Sequence, residues 1–188
     1  STVIRNGIFL KNYSPTTCSN LRVALVGPFI RGTINFDALH LIKQTVKDLP
    51  NIQFVFIGKT DEFFKNNLTF KNCEFLGMVN NYNEILRNCN VLFSPYPKHA
   101  IYLGSKNKFL EAAACEMPII TTSSGAIDFR RDLLLVGDTS TELIKLIKNM
   151  NNENDRRDLG RNLRTEIEKN YNAEIEIKKL IKLYKEFM

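Results

Sequence analysis

No apolar run in this sequence approaches the roughly 20 residues needed to span a bilayer, and the N-terminus lacks the basic-then-apolar layout of a secretory signal. A soluble, cytoplasmic protein is therefore expected. Cysteine is sparse: Cys18, Cys73, Cys89 and Cys115 are scattered without any C-x-x-C spacing. They read as reduced, mostly buried thiols rather than a disulfide framework. His40 and His99 are the two histidines and lie far apart, so no zinc site is expected. One-sided charge is also missing: the net charge is +6, but Lys and Arg are interleaved with acids and lack the aromatic platforms of a nucleic-acid surface. From Asn151 to Lys185 the charges alternate in sign. A solvated helix face is the first reading of that stretch, with membrane docking as the alternative. No internal repeat is present, and the only biased segment is an Asn-rich turn near Asn149 to Asn154.

What is present is enough for one α/β domain: 188 residues, 44% hydrophobic, can bury a full core without disulfides or metals. Arg22 to Gly27 is a short β-branched run ending in glycine, and apolar residues recur at helical spacing from Asp37 to Val46. Ile52 to Ile57, closed by Gly58, and Cys73 to Leu76, closed by Gly77, repeat the strand pattern. Tyr82 to Cys89 reads as a helix and Val91 to Ser94 as a strand stopped by Pro95. The amphipathic segment Ser105 to Cys115 breaks at Met117-Pro118, Ile119 to Thr122 and Leu133 to Val136 are two further strands, and three polar-faced helices follow at about Ser140 to Met150, Asn154 to Lys169 and Ala173 to Phe187. Six strands alternating with helices, apolar on both faces, predict a Rossmann-like three-layer α/β/α arrangement with a mostly parallel sheet. Ligands bind such sheets outside the carboxyl ends of the strands. Residues 1–20 have loop composition and look like the tail of something upstream. The expected division is therefore an entry segment at 1–20, a Rossmann-like domain at 21–170 and a closing helix at 171–188.

The chemistry-bearing segment runs from Gly104 to Ile120. Gly104 and Ser105 before a helix leave its first N–H groups free, and the helix dipole attracts a phosphate to that end. Lys106 and Lys108 put positive charge where it is unfavourable by about 0.3–1 kcal/mol each, a conflict that a bound anion resolves. Glu111 falls on the same face as Asn107 and Lys108, where a carboxylate can accept hydrogen bonds from ribose hydroxyls. Taken alone, Lys108 and Glu111 also fit a plain surface ion pair.

Asn107-Lys108-Phe109-Leu110-Glu111-Ala112, followed by a small-residue helix and Met117-Pro118-Ile119-Ile120, resembles the K-x-x-E-A/Y-x-A-x-G-x-P-V-V segment of family 4 and related GT-B glycosyltransferases. Val3-Ile4-Arg5-Asn6-Gly7-Ile8 is similar to the V-I-P-N-G-V linker that enters the C-terminal domain of that fold. Phe75-Leu76-Gly77-Met78-Val79 matches F-L-G-x-V, and Asn90 to Pro95 resembles the A-D-V-x-x-x-P strand. The resemblance covers nearly the whole chain and implies the donor-binding, C-terminal half of a GT-B enzyme. It implies Glu111 on the ribose, and Asn107, Lys108 and the amides of Phe109 and Leu110 on the diphosphate. Gly27 would allow close approach of the first loop, Met78 would offer backbone contacts to the base, and Lys108 with Arg31 would stabilise the leaving diphosphate. The sequence departs from the pattern at Leu103, where many retaining members carry a second glutamate, in the loop Pro28 to Gly32, where Arg31 is the only basic residue, and at Glu116, where the family has glycine.

The resemblance further implies a hexosyltransferase, with retention expected and inversion left open by Leu103, that moves a sugar from a nucleoside-diphosphate donor to a glycan or lipid-linked acceptor. A bacterial setting, polysaccharide biosynthesis and a peripheral position at the inner membrane face go with it. No metal is expected, since no D-x-D pair is present and a helix end with basic side chains can stabilise the leaving group. An N-terminal Rossmann-like domain of the same full-length protein would face this one. Two alternatives stay open: a nucleotide-sugar epimerase of the same fold, and a non-catalytic module that binds a nucleotide or a protein. His99, after a predicted strand on the ligand side, is a further candidate for substrate contact.

Overall fold

The computed structural model describes residues 3–32, 36–98, 106–127 and 129–186, with Phe36 described by its backbone. Six strands form one sheet: β1 (Arg22–Val26), β2 (Gln53–Ile57), β3 (Cys73–Gly77), β4 (Val91–Ser94), β5 (Ile119–Thr121) and β6 (Leu135–Val136). Their order is β3-β2-β1-β4-β5-β6, and every pairing is parallel. Parallel neighbours need crossover connections, which α1 (Phe36–Lys47), α2 (Glu62–Asn67), α3 (Tyr82–Arg87) and α4 (Asn107–Ala114) supply. Three more helices, α5 (Ser140–Asn149), α6 (Glu153–Asn170) and α7 (Ala173–Glu186), complete the chain.

The apolar runs of the inner strands β1, β2, β4 and β5 are buried on both faces, as a parallel sheet requires, while the edge strands β3 and β6 are half-buried. Val23, Leu25, Phe54, Phe56, Val91 and Phe93 point to the layer that holds α1, α2 and α5. The intervening Ala24, Val55, Ile57 and Leu92 point to the layer that holds α3, α4 and α6. Phe56 is fully buried and stacks on Phe75 at 4.7 Å while meeting Phe29 and Phe64 edge-on. Burying a side chain of that size contributes about 1.5–3 kcal/mol.

The sheet reverses its order between β1 and β4. Those two strands share the register pairs Val23–Val91 and Ala24–Leu92. At the lower end of this seam Asn90 acts as a clasp: its Oδ1 accepts from the Arg22 amide at 3.0 Å, and its Nδ2 donates to the carbonyls of Cys18 and Asn20 at 3.0 and 2.7 Å.

Two elements differ from expectation. Helix α2 has no counterpart in the sequence reading, because Glu62 to Asn67 carries only one full turn of apolar spacing; the Asp61 side chain starts it by accepting from the Phe64 amide at 2.8 Å. The last strand is shorter than Leu133 to Val136, since Arg131–Leu133 closes into a 3-10 turn and only Leu135 and Val136 pair with β5.

Helix α4 ends in a Schellman arrangement: the Met117 amide donates to Ala112 O at 2.9 Å and the Glu116 amide to Ala113 O at 3.1 Å. Glu116 itself is left-handed, with φ 57°. Its carbonyl lies against α6 so closely that a Cβ at Gly160 would stand 1.9 Å from it. The segment before β1 is tied to the start of α7: the Ile8 amide donates to Tyr171 O at 2.8 Å and the Ala173 amide donates to Ile8 O at 3.0 Å.

Candidate functional site

The seam between β1 and β4 is the topological switch point of the sheet, where an open α/β fold leaves a crevice at the carboxyl ends of its strands. Helix α4 begins at Asn107 and brings Lys108 to this point. The Lys108 ammonium donates to the carbonyl of Val26, the last residue of β1, at 3.0 Å, and lies 5.3 Å from the centre of the Tyr96 ring just beyond β4. Burial lowers its pKa from 10.5 to about 8, with the Glu111 carboxylate pulling the other way. Lys106 stands on the same ring, 5.7 Å from its centre, and donates to Ile127 O at 2.7 Å. Two ammonium groups thus lie within 5.7 Å of the centre of one aromatic ring at the start of α4.

One turn along α4, Glu111 opens onto a cleft of about 380 Å³ between the helix and the segment before β1. Asn107, Leu110 and Glu111 form one wall, and Asn6, Ile8 and Tyr13 belong to the other. Tyr82, the first residue of α3, donates its hydroxyl to Glu111 Oε2 at 2.7 Å. Burial raises the Tyr82 phenol far above its ordinary range, and the neighbouring Glu111 adds to the effect. The Tyr13 phenol is raised to about 12, again by burial first and then by Glu111. Tyr82 was not a site candidate in the sequence, because nothing local links it to a residue 29 positions away; its place just after the carboxyl end of β3 is the one usable signal.

Of the candidates read from the sequence, Asn107, Lys108 and Glu111 share one edge of α4, with Asn107 exposed and the other two half-buried, and Gly27 follows the carbonyl that Lys108 holds. A Cβ at Gly27 would meet the Phe29 ring at 2.5 Å, so glycine is required there by packing within its own loop. The amides of Phe109 and Leu110 are engaged, donating to Lys106 O at 2.8 and 3.4 Å, while their side chains are buried. Among the described residues, the amides of Asn107 and Lys108 meet no acceptor. Met78 is 79% exposed on the turn after Gly77, whose φ of 67° suits glycine. Arg31 is not gathered with the lysines among the described contacts: its guanidinium lies over the Phe63 ring at 4.5 Å, and its amide donates to Asp61. Gly104 and Ser105 lie outside the described residues, as do Leu103 and His99. His40 is exposed on α1. Among the described residues, no cluster of His, Cys, Asp or Glu is placed to hold a metal ion, and no helix is long and apolar enough to cross a membrane.

Solved structures share this architecture. The Anabaena protein Alr3699/HepE, in complex with UDP and glucose, superposes with a TM-score of 0.76 at 12% identity, covering 98% of this chain and 56% of its own. WaaG, a glycosyltransferase involved in lipopolysaccharide biosynthesis, gives 0.70 at 15% identity, over 95% of this chain and 55% of its own. The C-terminal domain of the glycosyl transferase group 1 family protein LpcC from Francisella tularensis gives 0.65 at 20% identity, over 89% of this chain and 100% of its own. The chain thus spans about half the length of the first two. No curated protein sequence matches it. The sequence profile described as Glycosyl transferases group 1 matches residues 22–152, which take in β1 through α5 and the whole of α4. The chain therefore belongs to the group 1 glycosyl transferases, and its fold is the Rossmann-like C-terminal half of the GT-B architecture.

Proposed function

We propose that this chain binds the nucleoside-diphosphate sugar for a glycosyltransferase that passes the sugar to a glycan or lipid-linked acceptor. The observation that carries the reading is the placement of Lys108: an ammonium held on the carboxyl end of β1, at the switch point, where burial lowers its pKa to about 8, one helical turn before a carboxylate that opens on a cleft. A diphosphate seated on the free amides of Asn107 and Lys108 would draw the ammonium away from the Val26 carbonyl. Its negative charge would also favour the protonated lysine. As the bond to the sugar breaks, charge grows on the leaving phosphate beside a group positioned beforehand, which is electrostatic stabilisation of the transition state without a metal. Glu111 then accepts from the ribose hydroxyls.

The UDP complex of the Anabaena protein supports a donor of this class. In this reading residues 1–20 lead in from a preceding acceptor-side domain of the same protein and 171–188 close back towards it, and the enzyme works at the inner face of the membrane. Calorimetry with UDP, GDP, ADP and CMP on this chain, alongside Glu111→Ala and Lys108→Ala, tests the assignment. One nucleotide should bind, and each substitution should weaken it by about tenfold or more. Binding that neither substitution changes would refute the site.

A further inference from the structure

We propose that Tyr82 is a positioning residue for the nucleotide's ribose, fixing the Glu111 carboxylate so that the site recognises a ribonucleoside diphosphate through its hydroxyls. The inference rests on the donor-site reading above. Glu111 projects from α4, and an unrestrained glutamate on a helix edge samples several rotamers. The Tyr82 hydroxyl removes that freedom by a bond to Oε2 at 2.7 Å, a short contact of the kind a phenol makes with a charged acceptor. Tyr82 can hold this position because its ring packs against the core layer below α3 and α4. Its proton is secure as well, since burial and the adjacent carboxylate both oppose ionisation of the phenol. Glu111 is thereby an acceptor-only group with one oxygen already oriented, and whatever completes it from the cleft must donate. Two neighbouring hydroxyls on a sugar ring meet that demand. The turn that carries Met78 after β3 also delivers Tyr82, so the segment expected at the base and the residue that orients the ribose acceptor are one continuous piece of chain.

The test compares wild type with Tyr82→Phe and Tyr82→Leu by calorimetry, using whichever of UDP, GDP and ADP the wild type binds best, and its 2′,3′-dideoxy counterpart. Both variants remove the donor, and the phenylalanine retains the ring. The ribonucleotide should bind Tyr82→Phe about tenfold more weakly, whereas the dideoxy nucleotide should bind wild type and variant within about twofold of each other. Tyr82→Leu should show the same selective loss. Equal weakening of both nucleotides would mean that Tyr82 merely supports the fold, and unchanged affinities would mean that the hydroxyl does nothing; either result overturns the inference while leaving the donor site standing. Absence of any binding to the wild type would instead overturn the donor-site reading, and this inference with it.

Discussion

Replacing Lys108 with methionine should make the protein more stable and less able to bind its ligand. The ammonium is held at the end of β1 against the cost of burial, which lowers its pKa from 10.5 to about 8. That difference corresponds to about 3 kcal/mol of stability forgone at neutral pH. Methionine has similar length and no charge to desolvate, but it loses the bond to Val26 O, whose net contribution is about 1 kcal/mol. The balance favours Lys108→Met by about 2 kcal/mol at pH 7, or about 5 °C in Tm for a domain of this size. The pH dependence follows from the sign of the shift. A lysine whose folded pKa is depressed destabilises fully below about 8, and the penalty fades as pH rises towards 10.5, because only the unfolded chain still holds the proton. Thermal melts of both proteins from pH 6.5 to 10 should therefore show a gap in Tm that is widest at low pH and narrows above 8. If the variant melts below wild type between pH 6.5 and 8, or if the gap is constant up to pH 10, burial does not penalise the Lys108 ammonium.

Two further substitutions probe the junction of α4 with α6. Glu116→Gly should raise stability by about 1 kcal/mol in a urea titration, since φ 57° costs any residue with a Cβ and glycine almost nothing; an unchanged or lower midpoint would speak against strain at this turn. Gly160→Ala should cost about 3 kcal/mol, because the new methyl would meet the Glu116 carbonyl and backbone cannot swing aside like a side chain. A loss below about 1 kcal/mol by the same titration would show that α6 can shift outwards at little cost.

The strands β1 to β5 were legible because their apolar runs are short and bounded by glycine or proline, and the longer helices because α1 and α5 repeat Leu and Ile at helical spacing. Helix α2 was not, since its existence depends on the Asp61 cap and on Phe64 finding Phe56, a contact made only once the sheet has formed. At the site, Asn107, Lys108 and Glu111 could be read together because helix geometry alone puts them on one edge. Tyr82 could not, because its meeting with Glu111 requires α3 and α4 to pack side by side. Glu116 shows a different limit. Its departure from the family's glycine invites a reading of lost function, yet the left-handed backbone persists beneath the changed side chain. Sequence records the residue and not the dihedral that the fold imposes on it.

The seam between β1 and β4 is fastened at both ends by side chains acting on main chain, but the two fasteners are chemically unlike. Asn90 below is an uncharged amide whose bonds to the main chain of Arg22, Cys18 and Asn20 involve no titrating atom. Lys108 above is an ion that a stronger anion can recruit. If a phosphate sits at the crevice as proposed, it would take that ammonium in exchange for the Val26 carbonyl, so an internal tether would give way to an external one while the Asn90 clasp stays in place.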